Sequence, residues 1–182
     1  VAESHRIGDI VDRQKGFVGG EFKIAIIPTV MPTLLPMFLK TFTKKYPEVQ
    51  LKIEELHTED CIKKLNDGHI DVAIAATPLE NEDILEWPLY YEPFVGFVPE
   101  WHRLASTKLL TVDALEIDEL LLLKDGHCFK ESILNLCGSF ADKSLQSFRL
   151  ESGSFDTLIK LSKENLGMTL LPYLHTLDLS KE

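Results

Sequence analysis

Residues 22–55 read FKIAIIPTVMPTLLPMFLKTFTKKYPEVQLKIEE, and changes of pattern divide them into three elements. The run FKIAII is rich in β-branched residues and stops at Pro28, which predicts a strand. Residues 31–46 then carry apolar side chains at helical spacing, and VQLKIEEL at 49–56 alternates apolar and polar residues as a strand does. The stretch therefore predicts a β-α-β unit.

The next residues extend this unit. Thr58 is in place to cap a short helix that ends at Asp67 and Gly68. The sequence IDVAIAAT at 70–77 is almost continuously apolar, which is typical of a strand in a parallel sheet buried on both faces. Residues 21–77 thus predict one β-α-β-α-β lobe.

A second α/β lobe is predicted to begin near Pro93. Its expected strands lie at 94–99, 120–123, 147–150 and 168–172, and its expected helical segments lie at 111–115, 126–136 and 154–165. Two such lobes predict a ligand cleft between them, beyond the carboxyl ends of the strands.

Composition excludes several classes of protein. The 182 residues are 45% apolar and can bury a core, and they lack an apolar run long enough to cross a bilayer, so no membrane partner is expected. The net charge of −10 repels nucleic-acid phosphates, so any DNA contact would need a segment outside this chain. The polar start at Val1, without a secretory leader, predicts a trimmed fragment of a cytoplasmic protein.

The three cysteines predict neither a disulfide framework nor a zinc site, because their spacing suits neither. The informative run is DGHCFK at 125–130, followed by Cys137 nine residues after Cys128. A cysteine at a helix start is favoured as a thiolate by the helix dipole, and His127 and Lys130 can add positive charge. Peroxide oxidises a thiolate to a sulfenic acid, which a second cysteine can capture as a disulfide.

If residues 128–137 are helical, a rise of about 1.5 Å per residue separates the two Cα atoms by roughly 13 Å. A disulfide requires Cα atoms within about 7 Å. Bond formation would therefore require the helix to unwind, which is what a redox switch needs.

These residues also have ordinary structural interpretations. From spacing alone, two independent half-buried cysteines on an amphipathic helix fit as well. His127 suits a surface or capping position, Thr29 a turn after Pro28, and Thr58 an N-cap. Cys61 is interpreted as structural.

The run GHC, with a second cysteine nine residues on, resembles the redox motif of OxyR-type regulators in the LysR family. The likeness extends to residues 22–55, to KLNDGHIDVAIAAT at 64–77 and to ENLGMTLLP at 164–172. It implies two Rossmann-like lobes, similar to those of periplasmic binding proteins. It also implies that Cys128 reacts with peroxide, that Cys137 resolves the sulfenic acid, and that Thr29, Thr58 and His127 bind or activate the peroxide.

The resemblance also implies a domain plan and partners. Residues 1–20 would end a linker helix and connector, residues 21–92 would form regulatory lobe I without its closing C-terminal part, and residues 93–182 would form lobe II with the redox cysteines. The N-terminal winged helix-turn-helix domain, which would bind DNA, lies outside this chain. The implied partners are hydrogen peroxide, further copies in a homodimer or homotetramer, and a dithiol reductant, with no cofactor and no metal.

Three functions compete at this point. The first is a non-enzymatic redox sensor whose disulfide rearranges an oligomer and switches transcription. The second is a LysR-type domain that senses an organic small molecule in the interlobe cleft. The third, a thiol peroxidase, is disfavoured because its signatures, such as Cys-x-x-Cys, are missing.

Overall fold

The computed structural model describes residues 19–79, 81–124, 126, 128–137, 150 and 152–179. The strands within them are β1 (Gly20–Ile26), β2 (Val49–Glu55), β3 (Val72–Ile74), β4 (Phe94–Phe97) and β5 (Thr169–Pro172). The helices are α1 (Met31–Lys45), α2 (Thr58–Asn66), α3 (Cys128–Leu136), α4 (Phe155–Lys163) and α5 (Tyr173–Thr176). Short 3₁₀ turns cover Val112–Ala114 and Ile117–Glu119.

The chain divides into two compact units. The first unit holds the described residues up to Ala75 together with 81–85, and the second holds 76–79 and the described residues from Glu86 onward. The sequence analysis placed the start of lobe II at Pro93, somewhat further along the chain.

Strand β1 lies at the centre of the parallel sheet of the first unit, whose order is β2-β1-β3. It pairs with β2 over its whole length, with Gly20 opposite Val49 and Ile26 opposite Glu55. Residues 24–27 are buried and form the core of this unit together with Cys61 and Ile70. The predicted β-α-β-α-β order and its parallel sheet are therefore confirmed.

Strand β3 is shorter and more exposed than the sequence predicted. A strand buried on both faces was expected over 70–77, but β3 spans Val72–Ile74 and Val72 is 40% exposed. Among the described strands β3 pairs with β1 alone. Asp71 fixes the register: its backbone N–H donates to the Lys23 carbonyl at 2.9 Å, and its carboxylate accepts the Lys23 N–H at 2.8 Å.

Helix α2 begins one residue earlier than predicted. Its N-cap is His57, whose carbonyl accepts the Cys61 N–H at 2.9 Å, and Thr58 is the first helical residue, so the predicted cap was wrong. The helix ends as predicted, because Gly68 adopts the left-handed conformation at φ 67° and its N–H bonds the Leu65 carbonyl at 3.0 Å.

The second unit is built around an antiparallel pair rather than a parallel sheet. In that pair, Phe94 of β4 lies opposite Pro172 of β5. Side chains from the leucine run, α3, α4 and β5 form one buried cluster beside it. Its members are Leu104, Leu120, Leu121, Leu123, Phe129, Ile133, Phe155, Leu158, Ile159, Met168, Leu170 and Leu171.

The leucine run at 120–123 is not a strand, contrary to the prediction. It makes one isolated bridge, between Leu120 and Met168, and the Leu121 N–H donates to the Met168 carbonyl at 2.7 Å. The Thr169 hydroxyl donates to the Leu121 carbonyl at 2.9 Å. The apolar run therefore reflects burial in the core, which periodicity alone does not distinguish from strand pairing. The strand predicted at 147–150 lies outside the described residues except for residue 150.

Glu119 ties the residues just before the leucine run to a neighbouring turn. Its carboxylate accepts a hydrogen bond from Arg103 Nη2 at 2.8 Å and a shared one from Nε, which lies 3.1 Å from both carboxylate oxygens. The His102 Nε2 lies 3.2 Å from the same carboxylate, an ion-pair distance without hydrogen-bond geometry. The hydrogen bonds from Arg103 hold the pKa of Glu119 below its ordinary value of 4.5.

This contact predicts a pH-dependent loss of stability in Glu119→Gln. A depressed pKa in the folded state contributes stability above the unfolded-state pKa, and that contribution is lost as pH falls through the folded-state pKa. Urea unfolding should show the variant less stable by about 1 kcal/mol near neutral pH. The difference in stability between the variant and the unaltered protein should shrink as the pH falls below the unfolded-state pKa of Glu119.

Glu116→Gln is the matched control, because Glu116 is more exposed and reaches Arg103 through a single 3.0 Å ion pair. The decrease in the free energy of unfolding near neutral pH should be smaller for Glu116→Gln than for Glu119→Gln. An equal loss for Glu119→Gln at neutral and acidic pH would contradict the role given to the Glu119 carboxylate.

Candidate redox site

Cys128 is the first residue of α3 and is half-buried, as the sequence predicted for a cysteine at a helix start. Two residues earlier, Gly126 has a φ of 85°, and a Cβ at this position would meet nothing within 4 Å, so glycine is used there for its backbone freedom rather than for space. Asp125 and His127 fall outside the described residues. The role predicted for His127 remains a prediction.

One face of α3 is fixed to the core. Phe129 and Ile133 lie four residues apart, and both are buried. The Phe129 ring packs edge-on against Phe94 of β4, with ring centroids 5.0 Å apart, and against Phe155 of α4 at 4.9 Å. The Phe155 ring in turn contacts the His175 imidazole at 5.1 Å. An aromatic cluster of Phe94, Phe129, Phe155 and His175 therefore holds the first turn of α3.

Cys137 continues the helix at its other end. Its N–H donates to the Ile133 carbonyl at 3.0 Å, and its side chain packs against the buried cluster. It lies four residues after Ile133 and thus on the core side of α3. At the first turn, the Ser132 hydroxyl donates to the Cys128 carbonyl at 2.9 Å. The segment between the two cysteines is helical throughout, which was the condition for the predicted conformational coupling.

The two thiols are held apart by the helix itself. All three cysteines, which are described residues, are thiols rather than disulfides. A separation of nine residues gives roughly 13 Å along the axis, and at about 100° per residue it places the two side chains on opposite sides of α3. A disulfide needs Cα atoms about 4.4–6.8 Å apart. The intact helix and a Cys128–Cys137 bond exclude each other.

The two ends of α3 offer different environments to a thiol. Burial raises the pKa of Cys137 above its ordinary value of 9.0. Cys137 is therefore largely protonated at neutral pH and a weak first nucleophile. Cys128 lies at the N-terminal end of the helix, where unpaired backbone N–H groups point outward.

Thr29 and Thr58 lie in the first unit. Thr29 is buried in the turn that follows β1, and Thr58 is half-buried just after β2. Because β1 and β2 are adjacent parallel strands, both threonines follow strand carboxyl ends at the same edge of the sheet. This edge is where open α/β sheets bind ligands.

Cys61 differs from the other two cysteines. It is buried in α2, and its thiol donates to the Leu56 carbonyl at 3.7 Å. This environment suits the structural role expected from the sequence. Within the described parts of the chain, no cluster of three or more His, Cys, Asp or Glu side chains could hold a metal ion. The described helices also include none with the length and apolar character to span a bilayer.

The aromatic cluster was missed by sequence reasoning. The spacing of Phe129, Ile133 and Cys137 at i, i+4 and i+8 could have identified the core face of α3. Its contacts with Phe94 and Phe155 join segments far apart in the chain, so no local pattern signals them.

Comparison with known proteins now identifies the family. The model of the LysR substrate binding domain matches residues 15–181. The chain belongs to the LysR substrate-binding-domain family. The fold predicted from the sequence, an α/β domain of the kind found in periplasmic binding proteins, is thereby confirmed.

Within this LysR family, several of the similar proteins are hydrogen peroxide-inducible activators or OxyR proteins. A probable hydrogen peroxide-inducible genes activator from Mycobacterium leprae is 35% identical over 154 residues, which cover 84% of this chain and 49% of that protein. The hydrogen-peroxide-bound form of an OxyR variant from Corynebacterium glutamicum is 33% identical with a TM-score of 0.81, covering 94% of this chain and 55% of that one. The reduced OxyR regulatory domain from Pseudomonas aeruginosa is 30% identical with a TM-score of 0.73, covering 86% and 74%.

The chain therefore has the OxyR-type regulatory domain that its GHC motif indicated. It spans about half the length of the curated relatives it matches. These relatives are transcription regulators rather than enzymes, which confirms the non-enzymatic interpretation and speaks against a thiol peroxidase.

The burial of Cys137 predicts slow alkylation in the native LysR-type domain. Because its pKa is raised, the rate of carbamidomethylation at Cys137 should keep rising with pH beyond the ordinary thiol value of 9.0. Peptide mapping by mass spectrometry after timed iodoacetamide pulses measures this rate at each cysteine.

Repeating the pulses in urea supplies the control, because unfolding removes the desolvation. The pH profile of Cys137 should then shift to lower pH and match that of an ordinary thiol. A native profile identical to the unfolded one would show that burial does not govern this thiol.

Proposed function

We propose that this chain is the redox-sensing regulatory domain of a cytoplasmic LysR-type transcription activator. In this proposal hydrogen peroxide oxidises Cys128, a Cys128–Cys137 disulfide follows, and the resulting change rearranges a homodimer or homotetramer and switches transcription. One observation carries the proposal: an OxyR-type chain has its two motif cysteines at opposite ends of a single helix.

The chemistry balances in two steps. The Cys128 thiolate attacks one oxygen of hydrogen peroxide, which leaves a sulfenic acid on the sulfur and releases hydroxide. The Cys137 sulfur then attacks the Cys128 sulfur, so an S–S bond forms and the oxygen and two protons leave as water. A dithiol reductant restores both thiols and takes up the disulfide in its own sulfurs.

Coupling to a conformational change follows from the geometry. The second step requires α3 to open, since the helix holds the cysteines about 13 Å apart. Oxidation therefore breaks helical hydrogen bonds and core packing while it forms one covalent S–S bond. This difference in interactions between the two states is what a switch needs in order to shift an equilibrium.

The peroxide site is proposed from the resemblance and from the position of the threonines. Thr29 and Thr58 would hydrogen-bond and orient the peroxide, and His127 would stabilise negative charge near Cys128. Thr29 lies at the carboxyl edge of the parallel sheet, where open α/β sheets in general bind ligands, and this position supports its part in the proposed site.

One observation supports the proposed oligomer, and another supports the proposed location of the DNA contact. Helix α1 has no buried residue although it carries an apolar series that includes Leu34, Phe38 and Leu39, so a second copy could cover this face. The chain has a net charge of −10, so DNA contact is assigned to a winged helix-turn-helix segment outside it.

The cysteine roles predict three distinct phenotypes. After a brief pulse of near-stoichiometric peroxide, Cys128→Ser should form neither a sulfenic acid nor a disulfide. Cys137→Ser should form a sulfenic acid that dimedone traps but no intramolecular disulfide. Mass spectrometry of mapped peptides measures both products.

Cys61→Ser is the matched control and should form the Cys128–Cys137 disulfide at the normal rate, because Cys61 is buried in the other unit. Loss of the response in this variant would refute the assigned pair. Unmodified Cys128 and Cys137 in the unaltered protein would favour the organic-effector function instead.

The peroxide site predicts a rate defect in Thr29→Val. Removing the hydroxyl while keeping the side-chain volume should slow sulfenic acid formation at Cys128 by roughly tenfold, the effect of losing about 1.4 kcal/mol of transition-state stabilisation. Stopped-flow peroxide titration with dimedone quenching measures the second-order rate constant.

Thr33→Val is the control, because the Thr33 hydroxyl donates to the carbonyl of Val30, the N-cap residue of α1, at 3.1 Å. Its rate constant should not change. If the two variants were equally slow, Thr29 would have no specific part in binding peroxide.

A further inference from the structure

The turn at 99–105, which follows β4, is held by a histidine side chain as well as by backbone hydrogen bonds. The His102 N–H donates to the Pro99 carbonyl at 3.0 Å, and the Ala105 N–H donates to the His102 carbonyl at 2.9 Å. Between them, the Leu104 N–H donates to the ring nitrogen Nδ1 of His102 at 3.2 Å. Aspartate and asparagine close turns in the same way, by accepting the N–H two residues later. His102 therefore completes this turn with its side chain.

Burial makes the hydrogen bond between His102 and Leu104 important. The His102 side chain is 2% exposed, and Leu104 is 7% exposed and belongs to the buried cluster of the second unit. Water therefore has little access to the Leu104 N–H. A buried N–H that loses its acceptor is left unsatisfied, which costs more free energy than an average hydrogen bond contributes.

The bond to Leu104 fixes the position of the imidazole proton. Nδ1 accepts the Leu104 N–H through its lone pair, so the single proton of the neutral ring must lie on Nε2. A second proton would have to bind at Nδ1, where it would point at the Leu104 N–H. Protonation of His102 and the closed turn therefore exclude each other.

The other ring nitrogen of His102 lies beside charged groups. Nε2 is 3.2 Å from the Glu119 carboxylate without hydrogen-bond geometry, and it is buried with no hydrogen-bond partner among the described residues. Arg103 donates to the same carboxylate and also pairs with Glu116 at 3.0 Å. A protonated ring that turned toward Glu119 would gain a charge-assisted hydrogen bond, which the neutral ring lacks in the closed turn.

Two arrangements are thus available to His102. In the closed turn the ring is neutral and Nδ1 accepts the Leu104 N–H, whereas in the open turn the ring is charged, pairs with Glu119 and leaves Leu104 without its acceptor. From this geometry we infer that His102 is an acid-sensitive switch, in which a proton at Nδ1 opens the turn at 99–105. The inference does not depend on the proposed cysteine chemistry, because the switch involves no thiol.

The direction of the pH dependence follows from proton binding. The open turn binds one proton more than the closed turn, so acid favours opening and neutral pH favours closure. A free imidazole takes up its proton near about pH 6.5, so a comparison between roughly pH 8 and pH 5 brackets the change.

Hydrogen–deuterium exchange of the full chain, read by NMR, measures the opening. The protection factor of the Leu104 amide, which corrects for the intrinsic pH dependence of exchange, should fall by about tenfold or more from pH 8 to pH 5. The Leu121 amide is an internal reference, because it bonds the Met168 carbonyl at 2.7 Å and should stay protected.

The charge of the imidazole is measured on the same samples without any substitution. Two-bond proton–nitrogen spectra distinguish a proton on Nδ1 from one on Nε2. Near pH 8 the neutral ring should carry its proton on Nε2. The ring should become charged over the same pH range in which the Leu104 amide loses its protection.

His102→Asn is the matched variant. Asparagine keeps an acceptor for the Leu104 N–H two residues later but does not titrate, so the protection of Leu104 should be the same at both pH values. His69→Asn is the control, because His69 is an exposed histidine of the first unit, and the pH dependence at Leu104 should remain.

Four results would overturn the inference. They are a neutral ring with its proton on Nδ1, a ring that stays neutral down to about pH 5, a Leu104 amide that stays protected while the ring becomes charged, and an equal loss of protection in His102→Asn. Each of these results would leave the proposed disulfide untouched.

Discussion

The nine-residue spacing of two cysteines on one helix is the constraint on which this domain depends. The helix fixes both the distance and the direction between the thiols, so the intact helix and a Cys128–Cys137 disulfide cannot be present in the same molecule. Helix α3 is held in place by its core face, which adds to the buried cluster of the second unit. The thiol form is thus stabilised by ordinary packing, and under the proposed function the strength of that packing decides how much free energy the disulfide must supply.

The second unit supports α3 from elements that are distant in sequence. The leucine run is tied to the start of β5 by backbone bonds to Met168, and Glu119 is tied to the preceding turn by Arg103. Strand β4 and helix α4 contribute the two aromatic rings that meet Phe129. The leucine run before α3 is therefore well connected to the core, which suits the proposed function, in which Cys128 is the thiol that reacts first.

Local sequence patterns were sufficient for much of the fold. The first lobe could be predicted because its strands and helices have clear periodicities and because Gly68 ends α2 with a left-handed residue. The start of α3 at Cys128 was also predictable from its motif. The strand predicted at the leucine run was wrong, since a run of buried side chains has the same composition whether or not its backbone pairs. Thr58 was wrongly predicted to be a cap because the backbone at His57, not residue preference, sets where α2 begins. The aromatic cluster could not be predicted, since Phe94, Phe129 and Phe155 come together only when the whole unit folds.

The last turn of α3 also sets a timescale, because Asn135 and Leu136 are exposed and Leu134 and Cys137 are only partly buried. Local opening free energies range from about zero to that of global unfolding, and a value of about 3 kcal/mol for this turn would leave roughly 1% of molecules open at any moment. Helix–coil exchange takes on the order of a microsecond, so each molecule would visit the open state roughly ten thousand times per second. A sulfenic acid on Cys128 would then meet Cys137 within about a millisecond, far sooner than a second peroxide molecule would arrive at low concentration. Under the proposed mechanism, the rate of switching is therefore proportional to the peroxide concentration, and over-oxidation of Cys128 is avoided because its partner arrives first.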